Sequence, residues 1–98
     1  MDANDYQDAC LRTKIKDFDL VCGALGLNNN SSEVGNIIKK ALYQNHRVDY
    51  DKLINALGDT AWYLATLSNY FGFSLNDVFT TNIKKLQEWY PNGAYFDL

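Results

Sequence analysis

The sequence lacks several features that mark common functional classes. It has only two cysteines and one histidine among 98 residues, too few for a zinc site built from these ligands. Basic residues do not predominate, since the formal net charge is −3, and this argues against a nucleic-acid partner. There is no apolar run of about 18 residues, so no membrane-spanning helix is predicted. The acidic start of the chain is unlike a signal peptide, and we expect a cytoplasmic protein.

Two kinds of catalytic motif are also missing. The glycines form no phosphate-binding loop, because Gly23 and Gly26 lack the required sequence context. No serine or cysteine stands with a plausible base and orienting acid, so nucleophilic catalysis is not predicted. If Cys10 and Cys22 share one helix, they lie about 18 Å apart. That separation is too long for a disulfide, and both are predicted to be small, reduced core residues.

The chain shows helical periodicity, and no stretch sustains the alternation typical of a strand. We therefore predict an all-α fold, a four-helix bundle that forms one domain over residues 1–98. The expected helices span about 4–25, 33–44, 49–71 and 74–90, and the aromatic tail 94–98 either packs on a neighbour or frays. The polar run 27–32 is predicted to be a turn. The candidate N-terminal caps are Asn4 or Asp5, Ser31 or Ser32, Asp49 or Asp51, and Ser74.

The third predicted helix contains the most apolar stretch of the chain, residues 56–65, with a single carboxylate at Asp59. Such a helix is expected to be mostly buried, and a buried carboxylate needs a partner. Two interpretations of Asp59 remain open at this point. It is either a core carboxylate paired with a lysine or a hydroxyl, or part of a metal or phosphate site between helices.

Several short motifs follow one another in a fixed order. They are Tyr6-Gln7 with Arg12-Thr13, Leu25-Gly26-Leu27, Glu33-Val34-Gly35-Asn36, Leu57-Gly58-Asp59-Thr60-Ala61-Trp62-Tyr63-Leu64-Ala65, and Asn82-Ile83-Lys84-Lys85-Leu86 with Tyr90-Pro91-Asn92-Gly93. Together they resemble the MazG-like nucleotide pyrophosphohydrolases of the all-α NTP pyrophosphatase superfamily. The resemblance is to the short form often found in bacteria and their phages, and it covers nearly the whole chain.

The resemblance implies a magnesium site that this sequence only half preserves. Family members convert a nucleoside triphosphate to the monophosphate and pyrophosphate, and hold Mg²⁺ with E-x-x-E and E-x-x-D pairs on the second and third helices. The first pair here reads Glu33 and Asn36, and the second reads Ala56 and Asp59. Glu33 and Asp59 are left to hold Mg²⁺ weakly, if at all. Fewer carboxylates also repel a phosphate less, which favours metal-free binding of a nucleotide without cleavage.

The resemblance also implies ligand-binding residues beyond the metal positions. Tyr63 matches an aromatic residue that faces the base or phosphates, and Asn82 and Lys85 match a late polar pair that reaches phosphates. Trp62 and Trp89 are candidates for stacking on a base, although Trp62 also suits the core. The candidate ligand-binding set is Glu33, Asn36, Asp59, Trp62, Tyr63, Asn82, Lys85 and Trp89, and no catalytic residue is assigned. The lysines expected to be merely solvated are Lys39, Lys40 and Lys84.

Three functions remain open. The first is a non-catalytic or weakly catalytic protein that sequesters a nucleotide or a nucleotide-derived signal, as a phage-encoded sponge would, with no required cofactor. The second is a Mg²⁺-dependent nucleoside triphosphate pyrophosphohydrolase with an atypical ligand set. The third is a structural or protein-interaction relic of the fold. A homodimer or homotetramer is expected, because relatives assemble in this way and a short bundle with 14% aromatic residues leaves apolar surface to cover.

Overall fold

The computed structural model of the chain describes residues 1–14, 18–45 and 47–93. These contain four α-helices: α1 (Ala3–Leu11), α2 (Leu20–Tyr43), α3 (Tyr50–Tyr70) and α4 (Leu75–Trp89). No strand occurs in the described ranges, and the predicted all-α fold is confirmed. None of the four helices is long and apolar enough to cross a membrane. The predictions for the tail concern residues 94–98, which lie outside the described ranges.

A side-chain cap starts each helix by accepting a hydrogen bond from a backbone N–H of the first turn. The predicted caps of α3 and α4 are confirmed: Asp49 accepts from Lys52 at 3.1 Å and Ser74 accepts from Asp77 at 3.0 Å. The caps of α1 and α2 are Asp2 and Asp19, and not the residues predicted for these positions.

The predicted first helix over 4–25 is wrong, because the chain leaves α1 at Leu11 and enters α2 at Leu20. Cys10 and Cys22 therefore lie on different helices and are both free thiols. Cys10 is buried, as expected of a small core residue, whereas Cys22 is exposed. The Asp19 cap restarts the helix where a continuous pattern was expected.

The predicted turn at 27–32 is also wrong, since these residues lie in the middle of α2. Asparagine and serine disfavour a helix interior by only about 0.5 kcal/mol each. Their side chains here bond to carbonyls of the same helix, with Asn30 donating to Gly26 at 2.9 Å and Ser31 to Asn28 at 3.0 Å. Packing of α2 on α3 outweighs the remaining penalty, so the predicted helix 33–44 is the second half of a 24-residue helix.

α2 and α3 form a long antiparallel pair, while α1 packs on both α3 and α4. α4 contacts α1 and α3, and within the described residues it makes no contact with α2. The small core lies where α1, α3 and α4 meet. It consists of Cys10, Ala65 and Leu75, against which Ala3, Tyr6 and Trp62 pack.

The expectation that the stretch 56–65 of α3 is mostly buried is wrong. Ala56 and Ala65 are buried, but Leu57 is 51% and Leu64 is 36% exposed. Asp59 is exposed as well, so its carboxylate does not need a buried partner. The reason is geometric, because α2 covers one side of α3, α1 and α4 cover another, and a third side has no neighbour among the described residues.

A single buried glutamine joins three of the four helices. Gln7 of α1 is 6% exposed, and its amide nitrogen donates to the carbonyls of Ala65 and Phe73, each at 3.1 Å. Its amide oxygen accepts from the backbone N–H of Leu75 at 2.9 Å. Gln7 thus satisfies polar groups at the end of α3, in the connection and at the start of α4. No buried side-chain polar atom lacks a partner in the described residues.

Replacing Gln7 by leucine should destabilise the fold severely. Each buried backbone group left without its partner costs about 1–3 kcal/mol, and a small domain has only about 5–15 kcal/mol in total. Urea unfolding followed by circular dichroism measures the loss. Gln87→Leu, at an exposed position on α4, is the matched control. Equal midpoints for the two variants would show that the Gln7 contacts are not needed.

Candidate functional site

Two glycines of α2 allow it to approach α3 closely. A Cβ at Gly23 would meet Phe18 and Leu67, and a Cβ at Gly26 would overlap the ring of Tyr63. Because glycine has no side chain, the Tyr63 ring lies directly against the α2 backbone. These contacts fix the register of the antiparallel pair, and with it the residues that face one another along the α2–α3 groove.

A cavity of about 430 Å³, here called the aromatic cavity, lies in this groove and is lined by Asn30, Asp59, Trp62 and Tyr63. Three of these four residues belong to the predicted ligand-binding set. Asn30 was placed in a turn by the sequence analysis and joins the cavity because α2 continues through it. An aromatic wall beside an amide and a carboxylate provides both stacking and hydrogen-bonding groups for a heterocyclic ring.

Trp62 serves the core and the aromatic cavity together. Its indole N–H donates to the hydroxyl of Thr13 at 2.8 Å. Its ring packs edge-on against Phe18 and Tyr63, with centroid distances of 6.1 and 5.0 Å. These contacts hold the indole in one orientation, as expected for the core interpretation, while one part of the side chain still lines the cavity.

Tyr6 of α1 contacts α3 one residue before Asp59 but lines a different cavity. Its hydroxyl donates to the carbonyl of Gly58 at 3.4 Å, next to the candidate carboxylate Asp59. Burial, together with a hydrogen bond to Cys10, raises the pKa of Tyr6 to about 12, and the negative charge of Asp59 acts in the same direction. The phenol is therefore neutral at physiological pH and able to donate a hydrogen bond.

A second cavity, here called the basic cavity, has a volume of about 330 Å³ and lies further along α2 towards the start of α3. It is lined by Glu33, Ile37, Lys40, Ala41, Arg47, Asp49 and Lys52. Of the predicted site residues only Glu33 contributes. Lys40 is exposed, as predicted, and it also lines this cavity together with Arg47 and Lys52.

The positions that hold metal in the family do not form a carboxylate cluster here. The Gly26–Tyr63 contact and the Lys40–Lys52 cavity place Glu33 about level with Leu57 and Gly58, between Ala56 and Asp59 of α3. Asn36 is exposed and Asp59 lines the other cavity. Among the described residues, no three histidine, cysteine, aspartate or glutamate side chains come together as metal ligands. The residues of one chain therefore do not fit the family's four-carboxylate magnesium site.

The candidates on α4 lie apart from those on α2. Asn82 and Lys85 line a third groove of about 460 Å³ with Phe73, Asp77, Val78 and Thr81. The Lys85 ammonium lies 4.8 Å from the ring centre of Trp89, a cation–π contact. Since α2 and α4 do not contact one another within the described residues, one chain does not bring these residues together with Glu33 and Asn36.

A sequence model of the MazG nucleotide pyrophosphohydrolase domain matches residues 25–94. The chain belongs to the MazG family. No curated protein and no solved structure gives a match to it. The matched range contains α2 from Leu25 onwards and all of α3 and α4, whereas α1 precedes it. MazG proteins typically depend on Mg²⁺.

Sequence reasoning missed the contributions of Asn30, Lys40, Arg47 and Lys52. A signal was present for Lys40, which continues the polar stripe of Glu33 and Asn36 at helical spacing. The same spacing relates Lys52 to Asp59 on α3. Nothing in the pattern indicated that α2 extends back to Asn30, because the Asn/Ser run is equally typical of a turn.

Two glycine substitutions in α2 should act in opposite directions. Gly26→Ala puts a methyl group into the Tyr63 ring, so either Tyr63 or the helix must shift, and we expect a loss of about 1–3 kcal/mol. Gly35→Ala has open space around it and should stabilise α2 by about 0.5–1 kcal/mol. Thermal and urea unfolding measure both. Stabilisation by both substitutions would mean that α2 and α3 do not meet at Gly26.

Proposed function

We propose that this MazG protein binds a nucleotide or a nucleotide-derived signal and hydrolyses it slowly or not at all. Its role would be sequestration, as in a phage-encoded sponge. The observation that supports this proposal is the loss of carboxylates where the family needs them. By the resemblance, Ala56 and Asn36 stand at two positions where the family has carboxylates, and Ala56 is buried.

The chemistry of this donor set favours binding over cleavage. In MazG enzymes the carboxylate cluster concentrates Mg²⁺, which neutralises the phosphates and activates water. With Glu33 in the basic cavity and Asp59 in the aromatic cavity, the two retained metal positions hold a hard cation weakly. The groove nevertheless retains an aromatic wall and hydrogen-bonding groups for a base, so recognition survives the loss of metal ligands.

A second candidate function is Mg²⁺-dependent pyrophosphohydrolysis with an atypical ligand set. It is favoured by the retention of Glu33 and Asp59 at two of the family's four metal positions. In this alternative the substrate's own phosphate oxygens complete the coordination of the ion, as they do in many magnesium sites. The two proposals therefore differ in whether Mg²⁺ is required and whether pyrophosphate is released.

The test is calorimetric titration with a panel of nucleoside mono-, di- and triphosphates and cyclic nucleotides, in EDTA and in Mg²⁺, alongside a pyrophosphate-release assay. We expect binding in EDTA and negligible release. Turnover at about 1–10³ per second in Mg²⁺, the range typical of enzymes, would overturn the binding proposal and support the second function. If no nucleotide of the panel binds or is hydrolysed, both proposals are contradicted and a structural relic is favoured.

The double substitution Asn36→Glu and Ala56→Glu rebuilds both carboxylate pairs. Without metal it should lower the melting temperature, because like charges crowd a partly buried site. Mg²⁺ should then restore stability by binding the folded state. The control is Asn28→Glu with Asn69→Glu, which adds the same charge at exposed positions. If Mg²⁺ raises the melting temperature of the double variant no more than that of this control, residues 36 and 56 are not ligand positions.

We also propose that the protein is a homo-oligomer, most simply a homodimer, assembled through the exposed apolar face of α3 and α4. Leu57 and Leu64 continue into Phe79 and Ile83, which are 43% and 52% exposed. A cavity of about 320 Å³ lined by Ala61, Leu64, Leu75 and Phe79, among others, connects the two helices. An apolar surface of this kind on a short chain is typical of a protein interface.

Ile83→Glu should weaken this assembly, because it places a charge on the exposed apolar face. Thr81→Glu, on the far side of the same helical turn, is the control. Analytical ultracentrifugation at micromolar concentration should report a dimer or larger species for the parent and the control, and a monomer for Ile83→Glu. A monomeric parent would contradict the proposal.

A further inference from the structure

We propose that the basic cavity is a metal-independent subsite for a chain of linked phosphates, with Lys40, Arg47 and Lys52 as its phosphate-binding residues. The inference rests on the proposed function and specifies it further, since it states which end of the ligand lies where. It differs from the resemblance-based expectation, which assigned the phosphate end to Asn82 and Lys85 on α4.

The first argument is the number of cationic side chains that line the basic cavity. The chain has nine lysine and arginine residues against twelve aspartate and glutamate residues, yet three of its cations line this one cavity. None of the three side chains forms an ion pair within the described residues. Three unpaired cations around one concave site repel one another, and a multivalent anion removes that repulsion.

The elements that carry these residues converge at one end of the hairpin. Lys40 lies in the last turn of α2, Arg47 in the connection and Lys52 in the first turn of α3. Asp49, which also lines the cavity, uses a carboxylate oxygen to cap the backbone N–H of Lys52. Its capping role explains its presence among the cations. Lysine supplies three donors and arginine a planar fork that matches two phosphate oxygens.

The basic and aromatic cavities belong to the same groove. Asn30, Glu33, Ile37 and Lys40 recur at helical spacing on one side of α2. Lys40 lies ten residues from Asn30, or about 15 Å along the helix axis at 1.5 Å per residue. A nucleoside with an extended polyphosphate can span this distance, with its base against Trp62 and its phosphates among the cations.

Glu33 provides the sharpest test, because it is the one family metal position in the basic cavity. If the cations bind phosphates without metal, the Glu33 carboxylate only repels the ligand. Glu33→Gln should then tighten binding of sodium tripolyphosphate in EDTA several-fold. If Glu33 instead holds Mg²⁺ for the ligand, Glu33→Gln should leave the affinity for tripolyphosphate in EDTA unchanged and weaken it in Mg²⁺. That second result would overturn the inference.

The cations are tested by titrating tripolyphosphate, ATP, GTP and the parent nucleosides in EDTA into the parent, Lys40→Ala, Lys52→Ala and Arg47→Ala. Each substitution should weaken binding of tripolyphosphate and of any bound triphosphate about tenfold or more, and leave nucleoside binding unchanged. Lys39→Ala is the matched control, since Lys39 is the exposed neighbour of Lys40 and does not line the cavity. Circular dichroism confirms that each variant is folded.

The outcomes separate this inference from the proposed function. Nucleotide binding that survives all three substitutions overturns the inference and leaves the proposed function intact. Cation-dependent binding of tripolyphosphate, with no triphosphate bound more tightly, supports the inference and contradicts a nucleotide ligand. If Lys39→Ala weakens binding of tripolyphosphate equally, the loss of affinity comes from general surface charge, and the inference is overturned. Failure of tripolyphosphate and of every nucleotide to bind contradicts both.

Discussion

The contact between Tyr63 and the bare backbone at Gly26 is the constraint on which the candidate site depends. It sets the register of α2 against α3, together with the contact of Gly23 with Leu67. A shift of one residue would rotate α2 by about 100° relative to its partner. Asn30 would then no longer line one cavity with Asp59, nor Lys40 another with Lys52.

Two sides of α3 differ in the chemical character of their side chains. Towards α2 it lines a polar groove with aromatic and charged side chains. On another side Leu57 and Leu64 continue the exposed apolar surface of α4. Gln7 links α1 to α3, to the α3–α4 connection and to α4 through its three hydrogen bonds. It does not line the groove. Gln7 therefore contributes to stability alone, whereas Trp62 both packs on the core and lines the aromatic cavity.

The proposed function depends on the charges along the α2–α3 groove. Where the family concentrates carboxylates for Mg²⁺, this chain has an alanine and an asparagine, and three cations line the adjacent cavity. Both changes act in the same direction on a phosphate, because one removes repulsion and the other adds attraction. This is the physical basis of the proposal that the groove binds an anionic ligand without a metal.

The sequence alone was sufficient to predict the helical class, two of the four caps, the ends of α3 and α4 and the family, because these depend on local spacing and on motifs. It was not sufficient to predict the break after Leu11 or the continuation of α2 through the Asn/Ser run. Local propensities there differ by fractions of a kcal/mol, and packing at Gly23 and Gly26 outweighs them. Only the tertiary structure decided that Asp59 is exposed and that Lys40, Arg47 and Lys52 converge. Convergence depends on the register of two helices, and no single segment encodes it.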